Sequence, residues 1–199
     1  MQLIEAPNTY PDCADLFLGG GITNCPDWQA DVAKMLDPTD LIVLNPRRSA
    51  AFTGDIADEQ IRWEYEALRA VKTVLFWFPE ETLCPITLFE LGVFSQRKDT
   101  RLIVGTHPAY ARRFDVQVQM ELSRPEVFVH DSIENMVGDY LSALQADALL
   151  DGYAQLREDA EYQNSAQERK TARSKKPART PRSIDEVIQR YQNSQQSEL

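Results

Sequence analysis

Residues 73–106 read TVLFWFPEETLCPITLFELGVFSQRKDTRLIVGT. The opening run, Thr73 to Phe78, is apolar without alternation and is stopped by Pro79. That is the composition of a strand buried on both faces, because such a strand has no solvent side on which to place polar residues. EETLCP (80–85) reads as a loop, ITLFELGVFSQR (86–97) as a helix, and TRLIVGT (100–106) as a second apolar strand. One strand–helix–strand unit of this kind predicts a parallel sheet covered by helices.

The same alternation extends both ways. Upstream, DLFLGGG (15–21) is a strand running into glycines, and DLIVLNP (40–46) is another, stopped by Pro46. Between them a helix opens at Pro26 with Asp27 near its positive end, and Trp28, Val32 and Leu36 follow at helical intervals. The stretch 47–58 is polar and irregular, and residues 58–70 form a helix on Ile61, Tyr65 and Leu68, with Asp58 as the expected N-cap. Downstream, DVQVQMELS reads as a short helix and EVFVHD (126–131) as a fifth strand. Ser132 then opens a helix running to about 160, with Asn135 where a capping box has Glu. The expected fold is α/β over residues 1–145: a mainly parallel five-stranded sheet with helices on both faces, flavodoxin- or Rossmann-like. Residues 146–160 add a helical extension.

Charge separates the C-terminus from the rest. The chain has 199 residues and a net charge of −10, yet residues 168–182 hold seven basic residues and one acidic. That segment is therefore +6 and the remainder −16. Low apolar content, charge and proline make 161–182 a disordered basic linker. Ser183 to Glu186 is a capping box that opens a short amphipathic helix, Ile184 to Gln192, within a tail spanning 183–199. So short a helix is marginal alone and requires another surface. The tail either docks on a partner, a neighbouring subunit or nucleic acid, or serves as a solubilising extension.

An acidic body repels the nucleic-acid backbone, so nucleic acid is not an expected partner outside that tail. No apolar run is long enough to span a membrane, and MQLIEAPNTYPD lacks the basic and apolar regions of a signal peptide, which points to a cytoplasmic protein. Cys13, Cys25 and Cys84, an odd number without C-x-x-C spacing, argue against a disulfide framework or a zinc site. His107 and His130 are too few and too far apart for a metal centre. Neither metal nor cofactor is expected.

In sheets of this class, ligands bind beyond the carboxyl ends of the strands. The loops at 19–27, 45–58, 79–90 and 105–115 therefore hold the candidate chemistry. Gly19, Gly20 and Gly21 either admit a ligand close to the backbone, ahead of free helical N–H groups, or make a plain tight turn. Glu90 sits in an apolar helical turn, facing either solvent or the crevice. Glu64 lies on the preceding helix. Arg47 with Arg48, and Arg112 with Arg113, could each hold a phosphate or simply neutralise an acidic surface.

In order, FLGGGI (17–22), NPRR (45–48), Trp63-Glu64, LFWFP (75–79), ITLFELG (86–92) and VGTHPAYARRFDV (104–116) resemble the nucleoside 2-deoxyribosyltransferase-like family, particularly its shorter bacterial and phage members. The resemblance covers about residues 15–145. It implies that Glu90 attacks C1′ of a 2′-deoxyriboside, forming a covalent intermediate that a second base or water resolves. Glu64 then stands where the family's second carboxylate contacts the base, and burial would equip it to protonate the leaving nitrogen. The resemblance extends substrate contacts to Phe17, the glycines, Asn45, Arg47 and Arg48. It adds Asp55, Trp63, Pro79, Tyr110, Arg112, Arg113 and Asp115. It also implies a homo-oligomer and a nucleoside, nucleotide and free base as partners. Two positions depart from it: Phe17 replaces a tyrosine that positions the nucleophile, and Cys84 replaces an aspartate. Glu80 and Glu81 are the loop acids that would stand in for the latter. The expectation is deoxyribosyl transfer or hydrolysis of a nucleoside or 5′-monophosphate. The alternative is a non-catalytic nucleotide-binding or sensing module on the same fold.

Overall fold

A computed structural model of the chain describes residues 1–48, 56–174 and 189. Among the described residues, six strands and five helices follow in the order β1 (Gln2–Glu5), β2 (Leu16–Gly20), α1 (Trp28–Leu36), β3 (Ile42–Asn45), α2 (Ala57–Ala70), β4 (Thr73–Phe78), α3 (Pro85–Ser95), β5 (Arg101–Thr106), α4 (Arg113–Ser123), β6 (Val129–His130) and α5 (Ile133–Ser174). All strands are parallel, in the order β1-β3-β2-β4-β5-β6. Without β1 this is the flavodoxin-like arrangement, in which strand order reverses between the first and third strands of the motif, here β2 and β4. The ligand crevice of such a sheet lies at that reversal, between the loops that leave β2 and β4.

The sheet has six strands where the sequence pattern predicts five. The additional one, β1, pairs with β3 from Gln2↔Ile42 to Glu5↔Asn45. It is four residues long and only half apolar, so it carries none of the signal of the central strands. β6 shrinks to Val129–His130, although EVFVHD suggests more.

Strand pleating divides the core in two. Phe17, Leu44, Val74, Phe76, Phe78 and Val104 face α2, α3 and α4, with Leu68, Leu91, Phe94 and Met120 packed over them. The alternate residues, among them Leu16, Leu18, Val43, Leu75, Trp77 and Ile103, face α1 and the start of α5. Helices thus cover both faces, as the unbroken apolar strands require.

Helix starts differ in detail from expectation. Asp27 caps α1, accepting a hydrogen bond from the Ala30 N–H at 3.1 Å, and Ser132 caps α5 through the Asn135 N–H at 3.2 Å. Asp58 is not the cap of α2: it lies inside the first turn and pairs with Arg62 one turn on, at 2.8 Å, while Ile56 occupies the cap position. α5 continues to Ser174, past the expected end near 160 and into the range read as disordered linker. Ala, Glu, Gln and Arg predominate there, and all are good helix formers. The rest of that range and the Ile184–Gln192 segment, apart from residue 189, lie outside the described residues. The chain divides into two units, Met1–Ala146 and Asp147–Leu199. Among the described residues no helix is long and apolar enough to cross a membrane.

Candidate active site

α3 begins abruptly. Pro79 is buried at the end of β4, Cys84 holds a left-handed backbone conformation with φ 47°, and Pro85 starts the helix. Proline's preset φ suits a first helical residue. This turn puts Glu90 in the second turn of α3, above the carboxyl end of β4. Leu91 and Phe94 on the same helix are held in the core, so the position of the carboxylate is set by packing.

Glu90 is a half-buried acid among apolar neighbours. Burial, with the charge of Glu64 adding to it, pushes its pKa up to about 8. Glu64 is raised as well, by burial, but less freely. Its carboxylate accepts a hydrogen bond from Gln60 Nε2 at 2.7 Å, and the Arg48 cation favours its anion. Glu64 therefore ionises first, and the repulsion between the two carboxylates falls on Glu90. The pair keeps one proton up to about pH 8.

Gln60 is the hinge of this arrangement, and motif matching missed it. Its Oε1 accepts from Arg48 Nε. Its Nε2 donates to the Pro46 carbonyl at 2.8 Å and to Glu64. One amide thus ties the end of β3 to the acid on α2. The signal was present in the sequence as the four-residue spacing to Glu64, which places both side chains on one helix face.

The arginines already have protein partners. Arg47 donates from Nε to Gln29 Oε1 at 3.1 Å and from an Nη to the Pro26 carbonyl at 3.0 Å, and lies 3.2 Å from Asp27. Arg48 pairs with Glu59 at 2.8 Å besides holding Gln60. Arg113 donates to the Thr106 carbonyl at 2.9 Å. Arg112, largely exposed, lies 3.7 Å from Asp115, itself exposed. Arg113 also lines a groove of about 560 Å³ between α4 and β6, together with Gln117, Glu121, Phe128 and Asn135. That groove includes neither carboxylate.

The glycines act through packing. None has a positive φ, and Gly19 and Gly20 complete β2. A Cβ on Gly20 would lie 2.4 Å from the Trp77 carbonyl oxygen and 2.5 Å from the Trp28 indole. One on Gly21 would meet Pro79, Thr82 and Cys84. The Gly21 carbonyl accepts from Trp28 Nε1 at 2.8 Å, and Asp27 occupies the N-terminus of α1, so this turn is closed upon itself.

Other expected contacts have structural partners too. Phe17 is fully buried, its ring 6.3 Å from Trp63, whose indole N–H donates to the Asn8 carbonyl at 2.9 Å. Asn45 Oδ1 accepts from the Arg47 N–H at 3.0 Å and closes the turn after β3. Tyr110 is buried on Phe78, and its hydroxyl donates to the Leu83 carbonyl at 2.8 Å, pinning the loop that launches α3. Burial pushes the Cys84 thiol up to about 12, so the position where the family resemblance calls for an aspartate holds a neutral group. Of the loop acids, Glu80 faces His107 at 3.5 Å. Asp55 lies outside the described residues.

A search of the curated proteins gives no match. Among family models, the one described as nucleoside 2-deoxyribosyltransferase like matches residues 13–110. The matched segment holds β2 through β5, both carboxylates, Gln60 and the Tyr110 latch, and over it the chain is similar to the nucleoside 2-deoxyribosyltransferase-like family.

Proposed function

We propose that this domain cleaves the N-glycosidic bond of 2′-deoxynucleosides or their 5′-monophosphates through a deoxyribosyl–Glu90 intermediate. A Glu90 oxygen attacks C1′ as the C1′–N bond breaks. The bond's electron pair passes to the base, and Glu64 delivers its proton to the leaving nitrogen. A second base or water then attacks C1′, giving up a proton to Glu64 and freeing the Glu90 carboxylate. Two displacements retain configuration at C1′. The reactive form has Glu90 ionised and Glu64 protonated, one of the two ways a single proton can sit on the pair.

The observation that carries this reading is a pair of half-buried carboxylates, Glu64 on α2 and Glu90 on α3, close enough that the charge of Glu64 adds to burial in raising Glu90. Neighbouring side chains fit a site completed by a second subunit, since Ile86 and Phe89, close to Glu90 in α3, are exposed apolar residues.

The test is chromatography of the protein incubated with deoxynucleosides and deoxynucleotides, with and without free bases. Base exchange only in the presence of an acceptor identifies transfer, and free deoxyribose or its phosphate identifies hydrolysis. Glu90→Ala is expected to abolish both with circular dichroism unchanged, and undiminished turnover in that variant refutes the assignment. Tight binding by the wild type with no product over hours would instead favour the non-catalytic module, the reading to which Phe17 and Cys84 lend support.

A further inference from the structure

The four residues that close β3 are each tied down. Asn45 Oδ1 accepts from the Arg47 N–H, and the Pro46 carbonyl accepts from Gln60. Arg47 reaches α1 through Gln29 and Pro26, and Arg48 reaches α2 through Gln60 and Glu59. The Arg48 side chain is only 10% accessible. Residues 45–48 thus form a fixed edge beside α2.

Gln60 is buried against that edge, and its neighbours allow the amide one orientation. A guanidinium has only donors, and a peptide carbonyl only accepts. Arg48 Nε must therefore face Oε1, and the Pro46 carbonyl must face Nε2. A flipped amide would set N–H against N–H and oxygen against oxygen, both out of water. One N–H is spent on Pro46, which leaves the other for Glu64 Oε1, 2.7 Å away.

Stability alone does not call for such a chain of polar groups. Apolar side chains of the same shape can replace buried hydrogen-bond partners at little cost, whereas a fully satisfied network fixes geometry. The geometry fixed here is that of a carboxyl group. Glu64 receives the amide N–H on Oε1, and in a neutral carboxyl the oxygen without the proton is the better acceptor. The proton of Glu64 then belongs on Oε2. Arg48 from the end of β3 and Glu90 from α3 are the charged groups that face this acid.

We propose that Gln60 is the positioning residue of Glu64: locked by Arg48 and the Pro46 carbonyl, it spends its second N–H on one oxygen of that acid and leaves the other to deliver the proton to the substrate's base. The assignment rests on Glu64 being the acid of the proposed reaction. It gives the Asn45–Arg48 segment a scaffolding role, with Gln60 acting through Glu64 and not on the substrate.

Two measurements test this, and the first needs no substrate. In side-chain amide NMR of the full chain, the Gln60 NH2 signal is expected to move with pH as Glu64 titrates, and to lose that movement in Glu64→Gln. A Gln60 signal blind to pH, or one that still moves in Glu64→Gln, overturns the proposal. The second is the pH profile of Gln60→Met, a side chain of similar length without donors, with its fold checked by circular dichroism. Loss of the N–H that favours the Glu64 anion should move the acid limb of kcat/KM to higher pH while the alkaline limb near 8 stays. The value of kcat should fall at least about tenfold with KM within about twofold. An acid limb that stays in place, with the loss falling on KM, marks Gln60 as a structural tie only and overturns the proposal. If Gln60→Met does not fold, the amide signal in the wild type and Glu64→Gln decides alone. A wild type that turns over no nucleoside or nucleotide sinks the proposed reaction, whereas the NMR outcome concerns Gln60 by itself.

Discussion

Glu90 has an acidity unlike that of any exposed glutamate, and two consequences follow at the scale of the single residue. The first concerns rate. If the state with one proton on the Glu64–Glu90 pair reacts, kcat/KM falls on the alkaline side as that proton is lost near pH 8, and on the acid side as the second proton is gained. Glu64→Gln removes both the shared proton and the repulsion that helps to raise Glu90. The alkaline limb should then vanish, and the remaining activity should track ionisation of Glu90 alone, at a lower pH. An alkaline limb unchanged in that variant would detach Glu64 from proton transfer. The second consequence concerns stability. The folded state holds the Glu90 proton more tightly than the unfolded chain, whose ordinary value is 4.5. Below that value the acid is neutral in both states and costs nothing; between it and about 8 the folded state loses stability as pH rises; above 8 the loss is complete. Glu90→Gln should therefore match the wild type at pH 4 and exceed it at pH 9, by on the order of 2 kcal/mol after allowance for partial solvent access. Equal urea midpoints for the two proteins at pH 9 would show that Glu90 is not destabilised by its surroundings.

At the scale of elements, close approach of backbones decides the geometry around the crevice. β2 lies against β4 with Gly20 opposite Trp77, and the Trp28 indole fills the space a side chain on Gly20 would need. Gly20→Ala should cost about 2 kcal/mol through overpacking, lowering Tm by about 5 °C. Gly92 in α3 has nothing within 4 Å of an added Cβ, so Gly92→Ala should stabilise by up to about 1 kcal/mol through helix propensity. Thermal melts that failed to separate the two would mean that β2 moves away from α1 and β4 at little cost. These elements also show where sequence reading succeeds. Unbroken runs such as TVLFWF can be satisfied only inside a covered parallel sheet, so the central strands were legible, as was the cap at Ser132, whereas Asp27 was legible only as an acid near the start of α1. β1 was not, because a four-residue edge strand derives its identity from pairing with β3 and carries no pattern of its own. The placement of Glu64 and Glu90 on adjacent covering helices followed from the motif, but Gln60 did not. Its role depends on the Pro46 carbonyl and Arg48 meeting it in space. The glycines and arginines were legible as residue types at the right edge of the sheet. Their partners, indole rings and protein carboxylates, come from distant parts of the chain.

The whole molecule bears on the choice between a nucleoside and its monophosphate. Net charge is −10, and outside residues 168–182 the chain carries −16. A phosphate-binding site must work against that field, yet Arg47 and Arg48 are occupied by Gln29, Asp27, Gln60 and Glu59, and Arg113 by Thr106. Asp27 and Glu59 balance the charges of Arg47 and Arg48, and Arg113 is held by neutral oxygens of Thr106. A dianionic substrate should then be repelled on approach, and added salt should relieve the repulsion, since screening reduces the Debye length from about 30 Å at 10 mM to about 10 Å at 0.1 M. For a deoxynucleoside 5′-monophosphate, kcat/KM is expected to rise about threefold between 10 and 200 mM sodium chloride. For the uncharged nucleoside it should stay level, which controls for effects of salt on the enzyme itself. The reverse result, a monophosphate rate that falls as salt is added while the nucleoside rate holds, would mean that arginines release their carboxylates to grip a phosphate. The ion pairs of Arg47 and Arg48 would then belong to the unliganded state alone.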